Sequence, residues 1–89
     1  TYTRAANRKL AERAISRAAV DLVVTGGQSI REYPDDQPFP CRLALGFPWG
    51  DARPLHVVYA INEDERIVIS LYEPDPALWS PDFTTRIDR

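Results

Sequence analysis

Two segments in the second half of the sequence carry side chains that could move protons together. Leu55–Ile61 alternates as a strand, with Leu55, Val57, Tyr59 and Ile61 on one face and His56, Val58 and Ala60 on the other. Arg66–Tyr72 alternates as its partner, with Ile67, Ile69 and Leu71 on one face and Val68, Ser70 and Tyr72 on the other. A tight turn centred on Asp64 pairs Ile61 with Ile67, sets Val58 opposite Ser70 and sets His56 opposite Tyr72. Directly opposed Cβ atoms lie roughly 4.5–5.5 Å apart, so one hairpin face is expected to collect an imidazole, a phenol and a hydroxyl. Imidazole, with an ordinary pKa near 6.5, works in either direction at neutral pH. With a cation to hold phosphate, these are the parts for cleaving RNA without a metal. One group takes the ribose 2′-hydroxyl proton, the cation stabilises the charged phosphorane, and an acid protonates the leaving oxygen. The competing reading is a satisfied, structural hydrogen-bonded cluster.

Cations are concentrated far from that hairpin in sequence. Residues 1–20 hold Arg4, Arg8, Lys9, Arg13 and Arg17 against Glu12 alone, a local balance of +4. The remaining chain holds six basic against twelve acidic residues, and the whole carries −2. A basic helical segment on an acidic body suits a polyanion or an acidic protein partner; otherwise it is a solvated helix face.

The elements that must position these groups follow from the local pattern. Thr3–Thr25 is rich in alanine, leucine and arginine and reads as two helices. Ala6, Leu10 and Ala14 make one apolar stripe; Lys9, Arg13 and Arg17 would share another if the helix ran unbroken. Ser16 is a good N-cap, which places a joint near Ala14–Ser16 and a second helix over Arg17–Val24. Its buried side is expected to be Val20, Val23 and Val24 beside Ala19, and Gly26-Gly27 to supply a left-handed stop. Strands follow at Gln28–Tyr33, Arg42–Phe47, Leu55–Ile61 and Arg66–Tyr72, separated by turns rich in proline and aspartate. From Glu73 onward three prolines argue for an irregular tail that Trp79 and Phe83 could anchor. Short connections make neighbouring strands antiparallel. The expected fold is therefore α+β, two N-terminal helices packed on a four-stranded antiparallel sheet, in a single domain over residues 1–89.

Length and composition bound the function. Eighty-nine residues make one modest core, and 44% hydrophobic with 27% charged residues excludes a disordered tail or a fibrous repeat. No apolar run approaches the roughly 18–20 residues that span a bilayer, and no apolar secretory segment follows the N-terminal arginines. One cysteine and one histidine exclude an internal disulfide and a Cys/His zinc site, so no metal or cofactor is expected and a reducing cytoplasm is the expected setting. Phosphate-loop, dinucleotide and GxSxG motifs are absent. The turn acids Asp35-Asp36 and Glu63-Asp64-Glu65 read as solvated, Cys41 as an incidental thiol, and Trp49 as packing.

Several segments together resemble one family. Glu12-Arg13-Ala14-Ile15-Ser16 resembles an "ERGIS" helix joint, and Glu32-Tyr33-Pro34-Asp35-Asp36 with Pro38 and Pro40 an "EYPDD-P-P" turn. Arg53-Pro54-Leu55-His56-Val57-Val58 resembles an "RPLHVV" strand. Ile69-Ser70-Leu71-Tyr72-Glu73-Pro74-Asp75-Pro76, with Trp79 and Asp82-Phe83, resembles "ITVYEPDP--W--DF". In this order they resemble the domain-of-unknown-function family 4258, which is similar to RelE-like toxins in the barnase-like and RelE-like ribonuclease group. The resemblance implies a RelE-like fold and a metal-independent RNA endonuclease. A cognate antitoxin, from a neighbouring gene that often encodes a zinc-finger protein, would hold it inactive. It maps a catalytic set onto His56, Arg13, Ser70 and Tyr72; from the charge of the first segment, Arg4, Lys9 and Arg17 are expected to face RNA phosphates. Two positions depart from the pattern. Ala14 stands where the joint usually has glycine. Ala5 stands where the family usually has a histidine, so this chain is expected to be a disarmed form. The alternative function is a non-catalytic module that docks an acidic protein through its basic helix.

Overall fold

Thr3 and Ser16 start the two helices. In the computed structural model, which describes residues 1–87, Ala6 N–H donates to Thr3 Oγ1 and Ala19 N–H to Ser16 Oγ, each at 3.1 Å. Each hydroxyl thereby satisfies a donor that the first helical turn leaves free. Helix α1 spans Arg4–Arg13 and α2 spans Arg17–Gly26. The left-handed stop expected at Gly26-Gly27 lies instead at Ala14, with φ 52° and ψ 44°, where Ile15 N–H closes on the Leu10 carbonyl. Ala14 is therefore exposed, and the apolar stripe of α1 is carried by buried Ala6 and by Leu10. Gly27 has an ordinary negative φ and serves by its small size. A Cβ there would run into the Val23 carbonyl oxygen and come within 2.7 Å of that of Leu45.

The chain then forms β1 (Gln28–Tyr33), β2 (Cys41–Gly46), β3 (Leu55–Asn62) and β4 (Glu65–Tyr72), an antiparallel sheet in the order β1-β2-β3-β4. This is the expected α+β arrangement of two helices followed by a four-stranded meander. Ala6, Ile15, Ala19, Val20 and Val23 pack from the helices onto Ala44, Leu55, Val57, Tyr59, Val68 and Leu71. Fully burying one such aliphatic side chain stabilises by about 1.5–3 kcal/mol, which is how so short a chain holds its helices on the sheet.

The register of the β3–β4 hairpin departs from the expected one near its turn and meets it at the far end. A two-residue turn at Glu63-Asp64 pairs Asn62 with Glu65 and Ile61 with Arg66, where a turn centred on Asp64 would pair Ile61 with Ile67. The register then shifts between Val58 and Tyr59, leaving Ile69 unpaired as a bulge, after which Val58 opposes Ser70 and His56 opposes Tyr72. The bulge also overturns the simple alternation along β4: Val68, expected beside Ser70 and Tyr72, is buried in the helix-side core with Leu71.

Both sides of β4 beyond its partner strand are then covered. Tyr2 bridges Val68 in parallel, with Thr3 N–H donating to the Val68 carbonyl at 3.0 Å and Val68 N–H to that of Thr1 at 2.8 Å. The tail after β4 is irregular, as expected, yet closely hydrogen-bonded within itself. Trp79 bridges Arg86, Ser80 pairs with Thr85 and Ile87 N–H closes on the Leu78 carbonyl. The Asp82 carboxylate accepts from Ser80 Oγ, Thr84 Oγ1 and Thr84 N–H, and those bonds hold its carboxyl below the usual range. Trp79 is buried, and Phe83 takes the left-handed conformation with φ 62°. Among the described residues no helix is long and apolar enough to cross a membrane.

Ala14 offers a direct check of the joint. A left-handed alanine costs roughly 1 kcal/mol that glycine does not incur. Ala14→Gly is expected to raise thermal stability by several degrees, read by calorimetry, whereas Ala14→Val should lower it.

Candidate functional site

Strand β3 delivers His56 and strand β4 delivers Tyr72 to the sheet face turned from the helices. His56 is fully buried, with 0% exposure. Its Nε2 lies 2.9 Å from the carbonyl oxygen of Phe83. A carbonyl can only accept, so Nε2 carries the proton and the neutral ring presents its lone pair at Nδ1. Tyr72 O–H, 3.2 Å away, donates to that lone pair. The edges of Trp79 and Tyr72 close the ring in, with centroids at 4.5 and 5.3 Å. Burial pushes the imidazole pKa below its ordinary 6.5, against the opposing pull of the Phe83 carbonyl, and so maintains the neutral form.

Tyr72 is only half-buried and is the more accessible side chain of the His56–Tyr72 pair. Burial raises its phenol pKa, and nearby Tyr33 adds to the rise, while Arg86 and Arg31 pull the other way. Both arginines escaped the reading of the sequence. Arg31 acts on the phenol by its charge alone, from the opposite edge strand, and Arg86 likewise from a tail with no periodicity to place it.

A second pair lies two residues along β4. Lys9 Nζ donates to Ser70 Oγ at 2.6 Å, and Arg13 Nη1 donates to the Leu71 carbonyl at 2.7 Å. Lys9 and Arg13 are four residues apart on α1 and so share a stripe, which that helix lays along the edge of β4. Ala5, exposed and one turn earlier, heads the same stripe. Arg17 does not continue it, because the break at Ala14 moves it to the start of α2. There it stacks 4.8 Å over the Tyr2 ring and donates to Asn7 Oδ1 at 2.7 Å. Arg4 is exposed in the first turn of α1. The expected trio is thus divided into two bonded pairs, His56 with Tyr72 and Ser70 with Lys9. Among the described residues no hydrogen bond joins one pair to the other.

The family segments hold His56, Ser70 and Tyr72, and a family model described as Domain of unknown function (DUF4258) matches residues 2–73. The chain belongs to the DUF4258 family. No curated protein and no solved structure matches the chain. The DUF4258 match takes in the basic helix, His56, Ser70 and Tyr72 and ends at Glu73, so Trp79 and the Phe83 carbonyl come from sequence beyond it. A cavity of about 350 Å³ between the end of α2 and the Phe47-Pro48 turn is lined by none of these residues. Among the described residues no three His, Cys, Asp or Glu side chains converge.

The buried imidazole makes stability depend on pH with a definite sign. Below about pH 6.5 the unfolded chain protonates its histidine while the native ring, with its lowered pKa, stays neutral. Stability from this group is complete above 6.5 and is lost as pH falls toward the native pKa. Melting temperature should therefore drop between pH 7 and 5.5, and less so in a folded His56→Gln variant.

Proposed function

We propose that this chain is a RelE-like endoribonuclease toxin that acts in the cytoplasm by acid–base cleavage of RNA and is held in check by a cognate antitoxin protein. The observation that carries the reading is the seam between α1 and β4, where Lys9 and Arg13 bring two cations to the strand that bears Ser70 and Tyr72. A phosphodiester needs such cations beside its non-bridging oxygens and a proton acceptor beside the ribose hydroxyl. The seam offers the first, and the Tyr72–His56 pair offers the second. Exposed Arg4 and Arg8 extend the positive strip along the helix, where a nucleic-acid backbone could follow. The acidic remainder of the surface confines RNA to that strip.

Ala5 heads the stripe that runs through Lys9 to Arg13, so a histidine there would stand one helical turn from Lys9. That placement supports the reading of the chain as disarmed at this position. The second reading, docking of an acidic protein through α1, is favoured by the zero exposure of His56, which keeps the imidazole itself from any bound molecule.

Purified chain and its Ala5→His variant, incubated with RNA in excess chelator, separate the two. The expected outcome is cleavage with 2′,3′-cyclic phosphate ends, at least about tenfold faster with histidine at position 5, and loss of cleavage in Lys9→Ala and Arg13→Ala. Intact RNA with both folded proteins would leave the docking reading in its place.

A further inference from the structure

We infer that Tyr72, rather than His56, is the side chain that meets the substrate hydroxyl, and that His56 is a positioning base whose tautomer is set by the Phe83 backbone carbonyl. The inference rests on the ribonuclease reading and names the working parts of that same site. Three observations carry it. His56 has no exposed surface and both ring nitrogens are engaged. The direction of the bonds is forced, because the Phe83 oxygen has no proton to give, so the lone pair at Nδ1 points to Tyr72. Of the two side chains in this chain of bonds, Tyr72 is half-buried and accessible whereas His56 is not.

The layout is that of an acceptor behind a histidine behind a hydroxyl, in which the rear acceptor holds the ring in the tautomer that can take the hydroxyl's proton. Here a neutral carbonyl stands at the rear, so the imidazolium receives less support than a carboxylate would give. Arg31 and Arg86 near the phenol supply positive charge at the other end, where the oxygen becomes electron-rich as its proton leaves.

The step balances as follows. The 2′-hydroxyl oxygen bonds to phosphorus as its proton passes to Tyr72 Oη, while the phenol's own proton passes to His56 Nδ1. Nε2–H stays on the Phe83 carbonyl throughout. The bond from phosphorus to the 5′ oxygen breaks, and that oxygen takes a proton from the Lys9 ammonium or, in the faster Ala5→His variant, from the imidazolium one helical turn earlier. The products are a 2′,3′-cyclic phosphate and a 5′-hydroxyl, and solvent returns His56 and Lys9 to their starting protonation.

The chain and its Ala5→His variant, labelled with nitrogen-15 in histidine, supply the first arm of the test. At pH 7.5 His56 is expected to show a protonated Nε2 and an unprotonated Nδ1; a proton on Nδ1 overturns the inference. In whichever form cleaves RNA, Tyr72→Phe, which keeps the ring, should lower kcat by about 100-fold or more with KM little changed. His56→Gln should lower kcat and move the acid limb of the pH profile. Full activity in Tyr72→Phe overturns the assignment. Where neither form cleaves, the ribonuclease reading fails separately. Titration with a single-stranded DNA oligonucleotide, which lacks the reacting hydroxyl, then decides. Shifts at the Tyr72 ring with Nε2 still protonated support Tyr72 as the contacting group, and an unmoved Tyr72 overturns it.

Discussion

The hydrogen bond from His56 Nε2 to the Phe83 carbonyl is the constraint on which the sheet's outer face depends. An imidazole taken out of water costs free energy unless both nitrogens find partners, and a half-satisfied ring would cost on the order of 1–3 kcal/mol. Phe83 satisfies one nitrogen and thereby leaves the other as an acceptor for Tyr72. The tail is shaped to this end. Phe83 adopts a left-handed backbone that non-glycine residues rarely take, and the Asp82 carboxylate ties the flanking Ser80 and Thr84 around it. Trp79 then lies edge-on against the imidazole and helps to shut that ring from water.

The opposite margin of β4 is governed by charge and backbone hydrogen bonding. An edge strand leaves carbonyls without partners, and here α1 and the chain start supply them. Thr3 N–H serves Val68, Thr3 Oγ1 serves Ile69 and the Arg13 guanidinium serves Leu71. Arg13 is thereby fixed beside Ser70 and Lys9 as a consequence of closing the sheet edge. A protein of net charge −2 holds a positive strip because the helix that completes its sheet is the one rich in arginine. Structural need and the proposed phosphate recognition draw on the same side chains.

Much of this was legible in the sequence. Caps, alternation and short connections fixed both helices, the four strands and their order to within a residue or two, since each is a local signal. The pairing of His56 with Tyr72 and of Val58 with Ser70 was legible as well, although two departures cancel to produce it: a turn one residue tighter than expected, and a bulge at Ile69 that restores the register. Nothing periodic marks a bulge, so the inward turn of Val68 was hidden. The joint near Ala14–Ser16 was legible from Ser16 and from the family glycine that Ala14 replaces, but its left-handed backbone was not read there, because alanine itself favours helix and the glycine pair at 26–27 drew the expected stop. The separation of Ser70 from His56 follows from Lys9, whose reach depends on where α1 packs. The Phe83 carbonyl had no signal at all, since every residue carries one and only the tail's tertiary path selects it.

The state of the buried imidazole is most directly measured by following the His56 ring protons by NMR from pH 8 to pH 4.5. A midpoint below the ordinary 6.5, with Tyr72 and Trp79 ring resonances moving in step, is the expected result, because burial disfavours the cation and the three rings are in contact. A midpoint at or above 6.5, with the two neighbouring rings unmoved, would contradict it and would mean that His56 is not buried between Trp79 and Tyr72 in solution.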